Sequence, residues 1–238
     1  MHSPWHGYFA GQKNFEMFFQ IQERKTVMET EIENVLPAQI ESRSFAIITQ
    51  ELKERGIELP KEQAPIIKRC IHTSADFDYA RNLVFSENAV EKALSAFRGG
   101  AYIVTDTQMA CAGINKKRLA EYGGGVYCFM SDEDVAVRAA KENRTRAAVS
   151  MEKACALKKD LVFAIGNAPT ALIRLCELIR EGRITPKLII GAPVGFVNVV
   201  QAKEMVLTLK DVPYIVAQGR KGGSNIAACI CNALIYQQ

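Results

Sequence analysis

The sequence predicts an α/β fold: a three-layer α/β/α sandwich around a mainly parallel sheet of roughly five strands. Two observations carry that expectation. Five short apolar runs are continuous rather than alternating, as strands buried on both faces of a parallel sheet must be. Between them lie segments whose apolar residues recur at helical spacing. Strands alternating with helices build right-handed βαβ units that cover both faces of one sheet.

In chain order the strand runs are AYIVTD (101–106), GVYCFM (125–130), LVFAIG (161–166), KLIIGAPVGF (187–196) and PYIVAQG (213–219). Ahead of them, 37–98 reads as mostly helical, with amphipathic segments at 44–55 and around 89–98. Between the strands, 133–158 is one helical stretch rich in Ala, Glu, Lys and Arg, and 170–181 is another. The segment 225–236 is small and apolar nearly all round, so it is expected to pack deep. Residues 1–26 differ in kind, being aromatic-rich with two histidines and no period, and Met28 offers an alternative start. They read as a weakly ordered appendage without chemistry. The domain reading is therefore a poorly defined extension over 1–36 and a single domain over 37–238.

Composition narrows the function classes. A chain of 238 residues, 48% hydrophobic, buries one substantial core. The net charge of +4 is spread among acidic residues, which argues against nucleic acid, because binding to a phosphate backbone wants a concentrated basic face. No run of about 18 apolar residues marks a membrane span. Seven cysteines with no CxxC pair and no secretory signal read as buried, reduced thiols in a cytoplasmic protein.

Chemistry is expected beyond the carboxyl ends of the strands, where loops of an open parallel sheet converge. Those loops are polar and glycine-rich: TDTQM (105–109), GNAPT (166–170), GAPVGF (191–196) and GRKGGSN (219–225). Two run straight into helices, so the rim offers N–H groups and helix dipoles to an anion. Thr170 is placed to cap one of those helices. A Gly-rich loop serves tight packing as readily as anion contact; Arg220 and Lys221 tip GRKGGS toward a carboxylated or phosphorylated ligand. Arg144 and Arg146 read as solvated helix charges, Asp106 as a cap, and Ser42 and Ser44 as helix openers. No phosphate loop, dinucleotide fingerprint, nucleophile elbow or zinc spacing is present. His72, in KRCIHTSADFDYA (68–80), is the one histidine of the core portion. Histidine is the usual side chain for moving a proton near neutrality, and a satisfied helix-end histidine is an equal reading of the same residue.

Seven segments go further: IESRSFAII (40–48), IHTSADFDYA (71–80), IVTDTQM (103–109), NRTRAA (143–148), IGNAPTAL (165–172), PVGFVNVVQAKE (193–204) and GRKGGSNIAA (219–228). In this order they resemble the precorrin-8X methylmutase family, from about Pro37 to Ile235. The resemblance implies migration of a methyl group from ring carbon eleven to carbon twelve of a late corrin precursor. The product is hydrogenobyrinate from the metal-free substrate or cobyrinate from the cobalt-loaded one. It implies no cofactor and no protein-bound metal. His72 matches the family's catalytic histidine, whose role is to protonate, or hydrogen-bond to, a ring nitrogen. Ser44 matches its binding serine and Arg146 its binding arginine, reversing the bland readings of both. The substrate's many carboxylates make Thr73, Thr105, Asn167, Thr170, Arg220, Lys221 and Ser224 further candidate contacts. The family also implies a homodimer with the macrocycle near the subunit interface. The run TSADFDY (73–79) looks more like the cobalt-dependent members, so cobalt-precorrin-8 is the expected substrate and cobalt belongs to it. Asn198 departs from the family's small residue, and the amino-terminal extension has no counterpart there. The competing readings are the metal-free methylmutase and a tetrapyrrole carrier without catalysis.

Overall fold

Six strands form one sheet in the computed structural model, which describes residues 32–237. The segment 1–26 and Met28, with the readings attached to them, lie outside the described residues. Contacts divide the chain between Ser44 and Phe45. In the first unit a short 3-10 turn, Pro37–Gln39, leads into helix α1 (Ile40–Glu54), which runs on past the division. Then come α2 (Ala64–Ser74), α3 (Tyr79–Asn82), β1 (Leu83–Phe85), α4 (Ala89–Arg98), β2 (Tyr102–Thr105), α5 (Gln108–Gly113), α6 (Lys116–Ala120) and β3 (Val126–Tyr127). The remainder alternates: α7 (Glu133–Lys141), α8 (Arg146–Ala154), β4 (Leu161–Ile165), α9 (Pro169–Arg180), β5 (Leu188–Gly191), α10 (Val199–Leu207), β6 (Tyr214–Ala217) and α11 (Ser224–Ile235).

The strand order is β1-β6-β5-β4-β2-β3, parallel throughout except that β1 runs antiparallel to β6. Side chains alternate across β4, and that alternation divides the core. Val162 and Ala164 join Phe97, Ile103, Ile190, Ile230 and Leu234 on one face. Leu161, Phe163 and Ile165 join Val149, Met151, Leu172, Leu175 and Ile189 on the other. Helices thus cover both faces, and the three-layer sandwich is the observed architecture. Each fully buried Phe or Leu in it contributes roughly 1.5–3 kcal/mol.

The five expected strands are β2 to β6, each trimmed at one or both ends. The sixth, β1, was not anticipated. The single helical stretch expected over 133–158 is two helices: Asn143 takes φ 51 and Thr145 caps α8 by accepting from the Ala148 N–H. Thr170 caps nothing, because Pro169 takes the first helical position and Ala168 stands at the cap. Of the seven free cysteines five are buried and two, Cys128 and Cys155, are half-buried. No helix among the described residues is long and apolar enough to cross a membrane.

The chain leaves β2 toward the edge strand β3 and then returns past β2 to β4, β5 and β6. Its direction across the sheet therefore reverses between β2 and β4. Such a switch point opens a crevice at the carboxyl ends, where loops diverge. Strand β1 adds to it from the far side. Leu83 pairs with Ala217, and the Gln218 N–H donates to Asn82 O at 2.7 Å, so the residues that precede β1 sit at the same carboxyl edge.

Candidate active site

At the switch point the outstanding side chain is Asp106, directly after β2 and only 1% exposed. One carboxylate oxygen accepts from the Gly166 N–H at 2.8 Å; the other accepts from Asn167 at 2.8 Å and Ala168 at 2.6 Å. Burial raises its pKa from the ordinary value although the three amides pull the other way. The three amides that lead into α9 are thus already taken by the protein's own anion. Those three N–H groups of GNAPT therefore serve the protein's own carboxylate. Beside it Thr107 caps α5 by accepting from Ala110 N–H at 3.0 Å, and its hydroxyl shares a 2.8 Å hydrogen bond with Ser224. Gly166 must be glycine, since a Cβ there would lie 2.6 Å from Ser224 Cα. These contacts tie the loops after β2, β4 and β6 into one floor.

Several candidates of the second unit lie close to that floor. Thr105 is fully buried and donates to Thr107 O at 3.1 Å, so its hydroxyl braces the β2 loop. Asn167 is exposed, its own N–H held by Asp106. Thr170 accepts from the Thr145 hydroxyl at 2.8 Å, which brings the start of α8 against the start of α9. Arg146 is the first residue of α8, exposed and with no ion-pair partner among the described residues. Arg144, by contrast, is held: it reaches Glu152 at 2.8 Å and Glu142 at 3.0 Å. Burial pushes the Glu152 pKa up, but the hydrogen bonds from Arg144 and Arg174, with Arg138 close by, outweigh it and bring it to about 2. Of the two arginines in NRTR, one locks α8 in place and the other faces solvent.

His72 stands exposed in the last turn of α2, whose opposite side buries Ile66, Ile67, Cys70 and Ile71. Its ring stacks on Phe45 with centroids 5.3 Å apart and 21° between planes. The Arg69 guanidinium lies 4.6 Å from the centre of the same Phe45 ring. Next to it the Thr73 hydroxyl donates to the Cys229 sulfur of α11 at 3.2 Å, so Thr73 links the histidine's helix to the one that begins at Ser224. Ser44 closes the first unit, its hydroxyl donating to Ile40 O at 2.9 Å.

On the β6 loop, the Arg220 guanidinium lies 5.3 Å from the Phe196 ring, and Phe196 and Val197 are each 79% exposed. Lys221 pairs with Asp76 and Asp78. Beneath this loop, Lys203 of α10 is 1% exposed; burial lowers its pKa to about 8, and its ammonium donates to the carbonyls of Gly219 and Lys221 at 2.8 Å each.

Sequence reasoning missed Lys203 altogether and took Asp106 for an ordinary cap. A lysine inside VVQAKEMVL is a weak signal of a buried charge; the amides that Asp106 meets lie 60 to 62 residues away and leave no local trace. Two surface depressions, of about 520 and 570 Å³, contain none of the candidates. One lies beside α1 and the start of α2, the other at the opposite edge of the sheet around Asp160 and Lys187. The chemistry of the rim, with its arginines, hydroxyls and one histidine, outweighs their size as a guide. No group of three His, Cys, Asp or Glu side chains able to hold a metal ion occurs among the described residues. The rim can therefore offer a flat ligand exposed apolar side chains, an unpaired arginine and an imidazole.

Comparison with known proteins gives a consistent answer. A family model described as precorrin-8X methylmutase matches residues 39–237. The cobalt-precorrin-8 methylmutase of Priestia megaterium is 44% identical over 200 residues, covering 84% of this chain and 88% of that protein. The enzyme of the same name from Salmonella typhimurium is 44% identical over 205 residues, covering 84% and 95%. Among solved structures, the precorrin-8X methyl mutase of Thermus thermophilus superposes with a TM-score of 0.75 at 38% identity, covering 83% of this chain and 96% of that one.

Proposed function

The chain belongs to the precorrin-8X methylmutase family, and on that premise we propose that this isomerase converts cobalt-precorrin-8 to cobyrinate, with His72 as its acid. The methyl group leaves ring carbon eleven with its bonding pair and joins carbon twelve, so the substrate's formula is unchanged. Any proton lent to the macrocycle is returned within the same turnover. His72, exposed in the last turn of α2, donates to a ring nitrogen and draws electron density from the migrating bond. General-acid assistance of this kind is worth typically about 10²–10⁴-fold. No cofactor of the protein's own enters the reaction, and cobalt arrives as part of the substrate.

Arg146 is read as a carboxylate partner because it is exposed and unpaired where its neighbour Arg144 is engaged. Ser44, Thr73, Asn167, Thr170, Arg220 and Ser224 are read as further contacts to the acetate and propionate arms, and Thr105 as a brace behind them. The cobalt branch draws support from the two relatives at 44% identity, both named for cobalt-precorrin-8, together with the acid-rich run after His72. We infer a cytoplasmic homodimer.

The observation that carries the reading is the exposed, ring-stacked His72 at the rim edge of α2. Parallel turnover of cobalt-loaded and metal-free substrate, followed by visible spectroscopy, tests it. Conversion of the cobalt form is expected, and His72→Ala is expected to bind product without turning over. Preference for the metal-free form sinks the cobalt assignment; a bound but unchanged chromophore with the wild-type protein sinks catalysis altogether. Substantial turnover by His72→Ala removes His72 from the acid role.

A further inference from the structure

The Lys221 ammonium does not stand open to an anion: it lies 2.6 Å from an oxygen of Asp76 and 2.5 Å from one of Asp78. Both carboxylates belong to the turn that immediately follows α2, the helix whose last turn carries His72. That turn is closely tied. Ala75 takes φ 54, the Asp76 N–H donates to the Ser74 hydroxyl at 3.2 Å, and the Asp78 N–H donates to Asp76 at 3.0 Å. On the other side of the pair, the loop that holds Lys221 is fixed from beneath. Lys203 grips the Gly219 and Lys221 carbonyls, and Gly223 N–H donates to Ala192 O at 2.8 Å. A Cβ at Gly222 would lie 2.2 Å from that same oxygen, so only glycine lets the loop pass this close to Ala192. Charge-assisted bonds from a buried ammonium are short and directional, and they set geometry as well as energy.

We propose that Lys221 is a positioning residue: through Asp76 and Asp78 it holds the end of α2, and with it the His72 imidazole, in register with the rim, while Lys203 anchors the loop that carries Lys221. The assignment rests on His72 being the acid. It also reverses the role the sequence suggested for Lys221, from substrate contact to clamp. Exposed ion pairs add little to global stability, and the Lys221 side chain is 47% exposed. The clamp therefore acts on where His72 sits and not on whether the chain folds.

The two roles separate in kinetics. Misplacing a catalytic group by about an ångström can cost roughly 10²-fold in rate. Lys221→Met is thus expected to lower kcat about tenfold or more, to leave KM nearly unchanged, and to move the His72 ring signals in an NMR spectrum of the folded protein. The charge-swapped pair Lys221→Asp with Asp78→Lys should recover much of the lost kcat. A raised KM with kcat intact, or loss of kcat that the swap does not recover, overturns the clamp. Should Lys221→Met fail to fold, Asp76→Asn with Asp78→Asn leaves Lys221 in place and must show the same loss; unchanged kcat there overturns it equally. Failure of the acid reading shows elsewhere, as turnover by His72→Ala, whereas failure of the clamp shows as His72 ring signals indifferent to Lys221→Met.

Discussion

Asp106→Ala removes the acceptor of three N–H groups at once, those of Gly166 and Ala168, which are buried, and that of Asn167, which is partly so. Each buried donor left without a partner costs about 1–3 kcal/mol, so three set an upper range of roughly 3–9 kcal/mol. Two effects reduce it. Water can follow the smaller side chain into the gap, and the carboxylate itself is held there against the cost of burial, as its raised pKa records. A loss of about 3–4 kcal/mol is expected, near the low end of that range. At about 2–4 °C per kcal/mol for a chain of this size, the melting temperature falls by roughly 6–16 °C. Asp106→Asn is the informative control. Its amide oxygen can keep the Asn167 and Ala168 donors, while its NH₂ group faces the Gly166 N–H and pairs with nothing. It should lose about 1–3 kcal/mol, one donor's share. Thermal melts by circular dichroism, checked by urea titration, measure both. An Ala variant melting within 2 °C of wild type, or an Asn variant as damaged as Ala, would falsify the view that these three bonds hold the switch point together.

Arg146→Ala should weaken product binding by roughly 1.5–3 kcal/mol, about 10- to 150-fold, through one lost charged hydrogen bond; a titration showing unchanged affinity rejects Arg146 as a carboxylate partner. Glu152 predicts a pH effect with a definite sign. Its folded pKa of about 2 lies below the ordinary 4.5, so its contribution is full above pH 4.5 and is lost as pH falls from there toward 2. The side chain is 4% exposed, and the shift corresponds to about 3 kcal/mol. Glu152→Gln should cost about that at pH 7 and little at pH 2; parallel pH–stability curves for variant and wild type contradict the arginine cage.

What could be read in advance follows from how far each signal reaches along the chain. The β4 run LVFAI is buried at every position, so its continuous apolarity announces a central strand without help from the rest of the chain. Strand β1 offers three residues, LVF, and exists only because residues 214–217 pair with it; no local pattern of that length is legible. That short strand also matters most for the site, since it carries the segment after His72 to the carboxyl edge. The break between α7 and α8 was legible in principle, Asn at a left-handed position followed by a Thr cap, but helix-forming residues on both sides masked it. The cap expected at Thr170 falls two residues earlier, at Ala168, because Pro169 takes the first helical position. His72 stands out alone as the one histidine of the core portion, whereas Arg146 gains its role only through the family motifs; the partners that give Lys221 a different setting lie more than 140 residues away.

The helix Ser224–Ile235 has a consequence for the order in which the molecule can be made. It is almost wholly buried, and its residues pack among those of α2, α4 and the sheet. Ser224 and Cys229 also complete the bonds to Thr107 and Thr73. All of those partners leave the ribosome first. Until the last helix follows them, one face of the sheet stays open and greasy in the nascent chain, and the loops around His72 have nothing to close upon. Synthesis can pause almost anywhere earlier without yielding a working centre, so a protein cut short before residue 224 should emerge as a client for chaperones and not as a slow enzyme.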